Sequence, residues 1–251
     1  MKLLIDCGNS RMKYVYLNTD TLGKVESLDN DQIDQKILNQ LLNGVSIVCV
    51  SSVLDEQLFE LISNSASQNG ATLIQAKTQV QTNGIICGYK NPQQMGVDRW
   101  LAILGAQHLM PNLNLIIVDA GTATTVDILT SNQRHLGGWI LPGVETIHNS
   151  ITERAANVHS EFKMIDQLSF GVTTQENVNQ ASWAATLGLI SMAKETFVNY
   201  LDKNNEKTSD DFQLIFTGGN GKKLMQLYRE FNHEELIYVP ELVFHGLKQY
   251  C

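Results

Sequence analysis

Leu115-Ile116-Ile117-Val118-Asp119-Ala120-Gly121-Thr122 is the stretch that decides how this chain folds. Four apolar residues run into a carboxylate, glycine follows two positions later, and a strand-like pattern resumes over residues 125–129. The same order opens the chain: Leu3-Leu4-Ile5, then the polar turn Asp6-Cys7-Gly8-Asn9-Ser10, then a second strand pattern over residues 14–17. One Asp-x-Gly is an ordinary turn. Two copies after matched strands predict a duplicated architecture with one hairpin per half. Pro111 stops the segment before the second copy, so the expected division is residues 1–112 and 113–251.

Working outward, helical periodicity covers residues 32–42 and 56–68, with a buried strand at 45–50 and a short one at 71–75. That alternation predicts an α/β fold. Residues 77–93 lack a clear period and contain Gly84, Gly88 and Pro92, which reads as a loop-rich segment near a site. Pro92 suits a first helical position, and an apolar-rich helix runs over residues 100–109. Beyond the second hairpin come Gly137-Gly138-Trp139-Ile140-Leu141-Pro142-Gly143, a helix to about Arg154, a loop, and a long helix from Thr173 to about Leu201. Thr173-x-x-Glu176 offers that helix a capping box. Ala181, Ala184, Ala185 and Gly188 keep it narrow enough for close packing against a neighbour. Residues 203–211 read as a solvated loop, and 212–216 as a strand entering Thr217-Gly218-Gly219-Asn220-Gly221, before a helix, a short strand and a last helix.

Over 251 residues, 43% hydrophobic and 18% charged content indicates an ordinary globular protein rather than a disordered one. The net charge of -8 repels polyanions and argues against broad nucleic-acid binding. A nucleotide remains compatible, because local amides and one or two cations hold phosphates whatever the net charge. The four cysteines are widely separated and the six histidines lack ligand spacing, so neither set predicts a metal site, and the thiols read as reduced. The apolar run before Asp6 is too short for a signal peptide, and no run approaches the ~20 residues of a membrane span. A cytoplasmic protein with no membrane partner is expected.

A tight turn after a buried strand aims backbone N–H groups at an anion, and glycine lets the backbone come close. Gly8 and Gly121 fit that need. Asp6 and Asp119 repel phosphate unless a cation intervenes, and Mg²⁺ commonly bridges a carboxylate to nucleotide phosphates. Neither a G-x-x-x-x-G-K-[ST] loop nor a G-x-G-x-x-G fingerprint occurs, which leaves the hairpins as the nucleotide-binding route.

Asp6-Cys7-Gly8-Asn9-Ser10-Arg11-Met12-Lys13, Gly96-Val97-Asp98-Arg99, Asp119-Ala120-Gly121-Thr122-Ala123-Thr124-Thr125, Gly138-Trp139-Ile140-Leu141-Pro142-Gly143 and Thr217-Gly218-Gly219 together resemble type III pantothenate kinase, in family order across nearly the whole chain. The resemblance implies two ribonuclease-H-like halves of the actin-like ATPase type, with the nucleotide site in the cleft between them, in a homodimer. It implies transfer of phosphate from ATP to pantothenate, giving 4′-phosphopantothenate, the first step of coenzyme A biosynthesis. Mg²⁺ and a monovalent cation, K⁺ or NH₄⁺, are implied as cofactors. Carried over by motif, residues Asp6 to Lys13 and Thr122 bind ATP, Asp6 faces Mg²⁺ through water, and Asp119 holds the monovalent cation. Tyr89, Gly96, Val97, Asp98, Arg99 and Thr174 bind pantothenate, with Asp98 as the catalytic base.

The chemistry of Asp98 agrees with that role, since phosphoryl transfer needs a carboxylate to orient the hydroxyl and accept its proton late. Arg99 either pairs with the substrate carboxylate or offsets transferring charge. Two positions depart from the family pattern: Ser10 stands for a common Thr and keeps a hydroxyl, and Ala181 stands for a common Gly and adds a methyl at an expected tight helix contact. A kinase for another small alcohol and a non-catalytic regulator on the same scaffold are the competing functions.

Overall fold

The computed structural model describes residues 1–8, 11–52, 56–155, 158–204 and 212–251. Its chain forms two compact units, Met1–Pro111 with Glu241–Cys251, and Asn112–Pro240. Residues 241–251 therefore belong with the first unit, not the second as the sequence division has it.

The first unit contains β1 (Lys2–Cys7), β2 (Arg11–Asn18), β3 (Thr21–Leu22), β4 (Glu26–Asp29), α1 (Gln35–Leu41), β5 (Ile47–Ser52), α2 (Glu56–Gln68), β6 (Thr72–Gln75), the small hairpin β7 (Gln81–Thr82) and β8 (Ile85–Ile86), and α3 (Val97–Leu109). Its sheet runs β3-β2-β1-β5-β6, with β4 also paired to β2. The second unit contains β9 (Asn114–Ala120), β10 (Ala123–Leu129), β11 (His135–Pro142), α4 (Val144–Thr152), α5 (Thr174–Lys203), β12 (Phe212–Thr217), α6 (Gly221–Arg229) and β13 (Leu236–Tyr238), with sheet order β11-β10-β9-β12-β13. Helix α7 (Leu242–Leu247) returns to the first unit.

Both sheets share one plan: an Asp-bearing first strand, an antiparallel hairpin partner on one side, and a parallel strand on the other. Buried on both faces, β1 and β9 read as near-continuous apolar runs. Separate cores fill the units, one around Leu3, Ile5, Val48 and Ile62, the other around Ile116, Val118, Trp183 and Phe216.

The return of the chain into the first unit follows from helix packing. A Cβ on Gly105 of α3 would stand 2.2 Å from Leu242 O, and one on Gly246 of α7 would meet the Leu101 backbone, so the two helices touch backbone to backbone. Leu242, Phe244 and Leu247 are buried by that contact.

Two local expectations change, and one segment left unassigned by the sequence takes a definite form. Pro92 opens a short 3-10 turn, Pro92–Gln94, and α3 begins separately at Val97. The Gly137-Gly138 segment is part of a strand, β11, because pairing with β10 overrides low glycine propensity. The ladder shifts register at Ile128/Leu129, and Gly137 takes φ +107° there. On α5, Ala181, Ala184, Ala185 and Gly188 face outward, while Val178, Trp183, Leu187 and Ile190 fill the core. The narrow stripe, including the methyl of Ala181, therefore meets no tight contact within this chain. The cap of α5 forms with Thr173 Oγ1 accepting from Glu176 N (3.2 Å), while Glu176 accepts from Val172 N (2.8 Å). Residues 205–211 of the expected solvated loop lie outside the described residues.

Candidate active site

In the first hairpin, strand alternation sorts the expected ATP-binding residues. Cys7 pairs with Met12 and both side chains are buried in the core, so only their backbones can serve a ligand. Asn9 and Ser10 lie outside the described residues. On the other face Asp6 pairs with Lys13 across the hairpin and with Ser51 on the parallel strand β5. Arg11 is turned aside, its Nε donating to Asp29 Oδ1 at 2.7 Å. Gly8 N donates to Arg11 O (3.0 Å), and Gly8 O accepts from Asn30 Nδ2 (3.0 Å). Its N–H thus closes the turn instead of pointing at an anion.

Burial pushes the Asp6 carboxyl up to about 6, with the Asp98 carboxylate adding to the rise and Lys13 and Ser51 opposing it. The buried Ser51 hydroxyl lies beside Asp6 without meeting the geometry of a hydrogen bond, so its opposition is partial.

Asp98 sits in the first turn of α3, where its Oδ1 accepts from Arg99 N at 2.8 Å. Glycine before the helix leaves room for that carboxylate where it sits: a Cβ on Gly96 would lie 2.5 Å from Asp98 Oδ1 and would push the side chain aside. Arg99 is buried and donates from Nη1 to Tyr89 Oη at 2.6 Å, with its guanidinium carbon 5.6 Å from the Tyr89 ring centre. Val97 is also buried. Asp6, Lys13, Ser51 and Asp98 therefore form one charged cluster, beside a Tyr89–Arg99 pair.

In the second unit Asp119 pairs with Thr125 across its hairpin and with Thr217 on the parallel strand. Gly121 N closes its turn onto Ala123 O at 2.9 Å, as Gly8 does. The exacting glycines here are ones the spacing did not single out. At φ +83°, Gly218 would place a Cβ 2.4 Å from Asp119 Oδ1, and Gly143 would place one 2.5 Å from Gly121 O. Exposed Thr122 is held from behind, its carbonyl accepting from Gly143 N (2.9 Å) and Thr146 Oγ1 (3.3 Å). Around it lies a cavity of about 380 Å³ lined by Gly121, Thr122, Gly143, Thr146, Gly219 and Asn220, among others. Helices α4 and α6 both begin at this cavity without a side-chain cap; Gly221 N is spent on Gly218 O (3.1 Å) and Glu145 also lines the cavity, so the anion-favouring N–H groups are those of the following first-turn residues. Thr174 stands exposed in the first turn of α5.

Among the described residues no cluster of three or more His, Cys, Asp or Glu side chains could hold a metal. Mg²⁺ still fits Asp6, since a cation there relieves a carboxylate strained by burial and by Asp98, and this ion retains water and phosphate ligands. Asp119, beside the hydroxyl-bearing Thr125 and Thr217, offers the oxygen donors a monovalent cation prefers. Two histidines make buried local contacts, His135 3.0 Å from Asp127 and His148 2.8 Å from Ser160, while His159 and His233 are exposed. No described helix is long and apolar enough to cross a membrane.

Comparison with known proteins agrees with this arrangement. A Sinorhizobium meliloti structure provisionally named a 2-dehydro-3-deoxygalactonokinase covers 99% of this chain and 97% of its own, with TM-score 0.58 and 14% identity, and shares the kinase-type fold. A Campylobacter jejuni structure provisionally named a conserved Baf family transcriptional activator is 25% identical with TM-score 0.56, covering 99% of this chain and 96% of its own. A Type III pantothenate kinase from Colwellia psychrerythraea is 38% identical over 100% of both chains, and one from Pseudoalteromonas translucida is 34% identical over 98% of this chain and 94% of its own. The family model for Type III pantothenate kinase matches residues 2–195. With two matched Asp-x-Gly hairpins on a duplicated α/β plan, a family model over residues 2–195 and full-length relatives of one name, the chain belongs to the type III pantothenate kinase family.

Proposed function

We propose that this enzyme transfers the γ-phosphoryl group of ATP to the 4′-hydroxyl of pantothenate, with Asp98 as the base. The carrying observation is the placement of Asp98: Gly96 clears space for its carboxylate, and Arg99 N fixes one oxygen within electrostatic reach of Asp6. The other oxygen orients the acceptor hydroxyl and takes its proton late, as the hydroxyl oxygen bonds to phosphorus and the bond to ADP breaks. Tyr89 holds Arg99 in place for the substrate carboxylate, a pairing that a buried, pre-oriented guanidinium favours. Gly96, Val97 and Thr174 complete the acceptor site by the family pattern.

For ATP, Lys13 receives phosphate together with Asn9 and Ser10 by the family pattern, and Thr122 with the starts of α4 and α6 supplies further donors. Asp6 faces Mg²⁺ and Asp119 a monovalent cation, K⁺ or NH₄⁺. When bound, these ions neutralise phosphate charge next to the two carboxylates.

A homodimer is part of the reading. Phe170 and Val172 are 102% and 90% exposed, and the outward stripe of Ala181, Ala184, Ala185 and Gly188 lies on the helix that follows them. Two copies packed on that face would cover both features. Ala184→Glu is expected to shift the mass measured by light scattering from dimer to monomer, and an unchanged mass would remove this face from the interface.

The decisive test is ADP release with pantothenate, in K⁺ and in Na⁺, for the parent protein and Asp98→Asn. The variant is expected to lose on the order of 10³-fold in kcat while retaining ATP binding. Parent-like turnover in Asp98→Asn would refute the base. No ADP release with pantothenate from the parent would refute the substrate, and would favour the non-catalytic reading that the Campylobacter jejuni name suggests.

A further inference from the structure

Gly96 leaves room for the Asp98 carboxylate but also loosens the peptide in front of α3, because a residue without a Cβ restricts φ and ψ least. What sets that peptide comes from the segment after β6. Thr78, itself buried, donates from Oγ1 to Met95 O at 3.0 Å. Met95 N donates to Pro92 O at 3.0 Å, so both backbone polar groups of the residue before Gly96 are engaged. Burial of the Met95 side chain beside Cys87, with the two sulfurs 3.9 Å apart, seats the residue but leaves its peptide plane free to rotate. Thr78 and Met95 also line a cavity of about 850 Å³ together with Gly96 and Val97, so open space rather than packed side chains adjoins this stretch on one side. A directional bond fixes the carbonyl where packing does not. Thr78 is held in turn by its neighbours: Ala76 N donates to Val50 O (2.8 Å), Lys77 O accepts from Tyr250 Oη (2.8 Å), and Val80 O accepts from Cys87 N (3.0 Å). Val50 precedes Ser51, the residue paired with Asp6. Thr78 thus joins the sheet that carries Asp6 to the helix that carries Asp98.

We propose that Thr78 is a positioning residue for phosphoryl transfer, holding the peptide between Met95 and Gly96 so that α3 presents the Asp98 carboxylate at a fixed place relative to Asp6. Its hydroxyl proton is spent on Met95 O, and it acts through Asp98, so the proposal rests on Asp98 being the base. The bond from Arg99 N to Asp98 Oδ1 lies within the first turn of α3, as does that from Trp100 N to Gly96 O (3.2 Å), so the turn moves as a unit when the peptide before it rotates. Without the Thr78 hydroxyl, the Met95 carbonyl is driven to rotate toward another donor, because a buried backbone oxygen left unpaired is costly. The carboxylate then leaves the line between acceptor and phosphate, and a misplacement of about 1 Å costs up to on the order of 10²-fold in rate. The groups assigned to ATP lie on the first hairpin and around Thr122, away from this peptide. Loss of the bond therefore falls on kcat and spares KM for ATP.

The test compares Thr78→Val, which keeps the shape and removes the hydroxyl, with Thr78→Ser, which keeps the hydroxyl and removes the methyl, each alone and combined with Asp98→Asn. Rates are taken per ATP-binding site counted by titration, so unfolded protein does not enter. Thr78→Val is expected to lower kcat about 10-fold with KM for ATP changed less than about 2-fold, and Thr78→Ser to stay within about 2-fold of the parent. In the Asp98→Asn background Thr78→Val should cost under about 2-fold more, since a residue acting through the carboxylate then has nothing left to position. Parent-like kcat in Thr78→Val, with Asp98→Asn impaired, overturns the positioning and leaves the base intact. Equal losses from valine and serine, or a further 10-fold loss on top of Asp98→Asn on the order of the single-variant effect, mean a packing role independent of the carboxylate and overturn it as well. Parent-like turnover in Asp98→Asn removes the base, and the positioning with it. Should Thr78→Val yield no folded protein, Tyr250→Phe, which frees Lys77 O from the other side, is expected to show the same loss confined to kcat at about 3-fold, and an unchanged kcat there overturns the proposal.

Discussion

Asp6 and Asp119 stand on equivalent strands, each with a buried hydroxyl residue beside it on the parallel neighbour, Ser51 for one and Thr217 for the other. Their hairpins differ in the connection and in what returns opposite the carboxylate. Residues 8–10 join β1 to β2, whereas 121 and 122 alone join β9 to β10. Lys13 comes back opposite Asp6 and Thr125 opposite Asp119. A duplicated frame thus acquires two electrostatic characters from its antiparallel partner: an ammonium that suits phosphate near Asp6, and a neutral oxygen donor that suits a weakly bound cation near Asp119. Lys13 does not fully compensate Asp6, since burial dominates the shift of its carboxyl to about 6.

The largest effect expected from breaking this asymmetry is at Asp6. Asp6→Asn should lower kcat/KM for Mg²⁺-ATP on the order of 10³-fold. The same change should stabilise the ligand-free protein at pH 7.5. With the folded carboxyl at about 6 and an unfolded value near ~3.9, the folded state binds the extra proton between those limits. Stability conferred by the protonated group is therefore full at low pH and lost as pH rises from about 4 to about 6. Asparagine removes that loss, by about 1–3 kcal/mol at pH 7.5 and by nothing at pH 4. Equal melting of the two proteins at pH 7.5 would contradict the strained carboxylate.

Next in size is a contrast between two glycines near Asp119, one after the parallel strand β12 and one in the second hairpin. Gly218→Ala drives a Cβ to 2.4 Å from Asp119 Oδ1 at φ +83°, and should cost about 2–4 kcal/mol in urea unfolding and weaken activation by K⁺. Gly121→Ala meets only Ala123 O at 3.7 Å and should cost under about 1 kcal/mol. Similar costs at both positions would mean that the close approach at Asp119 is not a constraint.

Smallest is the exchange of the facing residues themselves. Lys13→Met should raise KM for ATP roughly 10-fold with a lesser change in kcat, and Thr125→Val should change KM for ATP less than about 3-fold while altering the K⁺ requirement. If the two variants respond alike to ATP and to K⁺, the two hairpins have not diverged as described.

Much of this frame is legible in the sequence because apolar runs ending in Asp-x-Gly recur, and those runs are the central strands. The flanking hydroxyls carry a fainter signal: Val48-Cys49-Val50-Ser51 and Leu214-Ile215-Phe216-Thr217 are each three largely apolar residues closed by a hydroxyl, but recognising them needs the parallel register. Motif carry-over gave Cys7 and Met12 the same standing as Lys13, although alternation across the hairpin buries the first two side chains and exposes the third. Arg11 was separated from the site by β4, whose Asp29 is too distant in sequence for local pattern to reveal the pair. Strand β11 hid behind Gly137-Gly138, and the fit of α7 on α3 depends on two glycines, Gly105 and Gly246, whose meeting only tertiary structure discloses.

The backbone contact of α7 with α3 also sets an order for building the molecule. On a ribosome, every element of the second unit has been synthesised before Leu242–Leu247 emerges, so that unit can close while the first still lacks one of its helices. Until then the face of α3 around Gly105 and the strand bearing Cys49 wait with apolar surface uncovered, and contacts spanning most of the chain must form last. A nascent chain stalled before residue 241 should consequently hold a protease-resistant second unit and a chaperone-dependent first one.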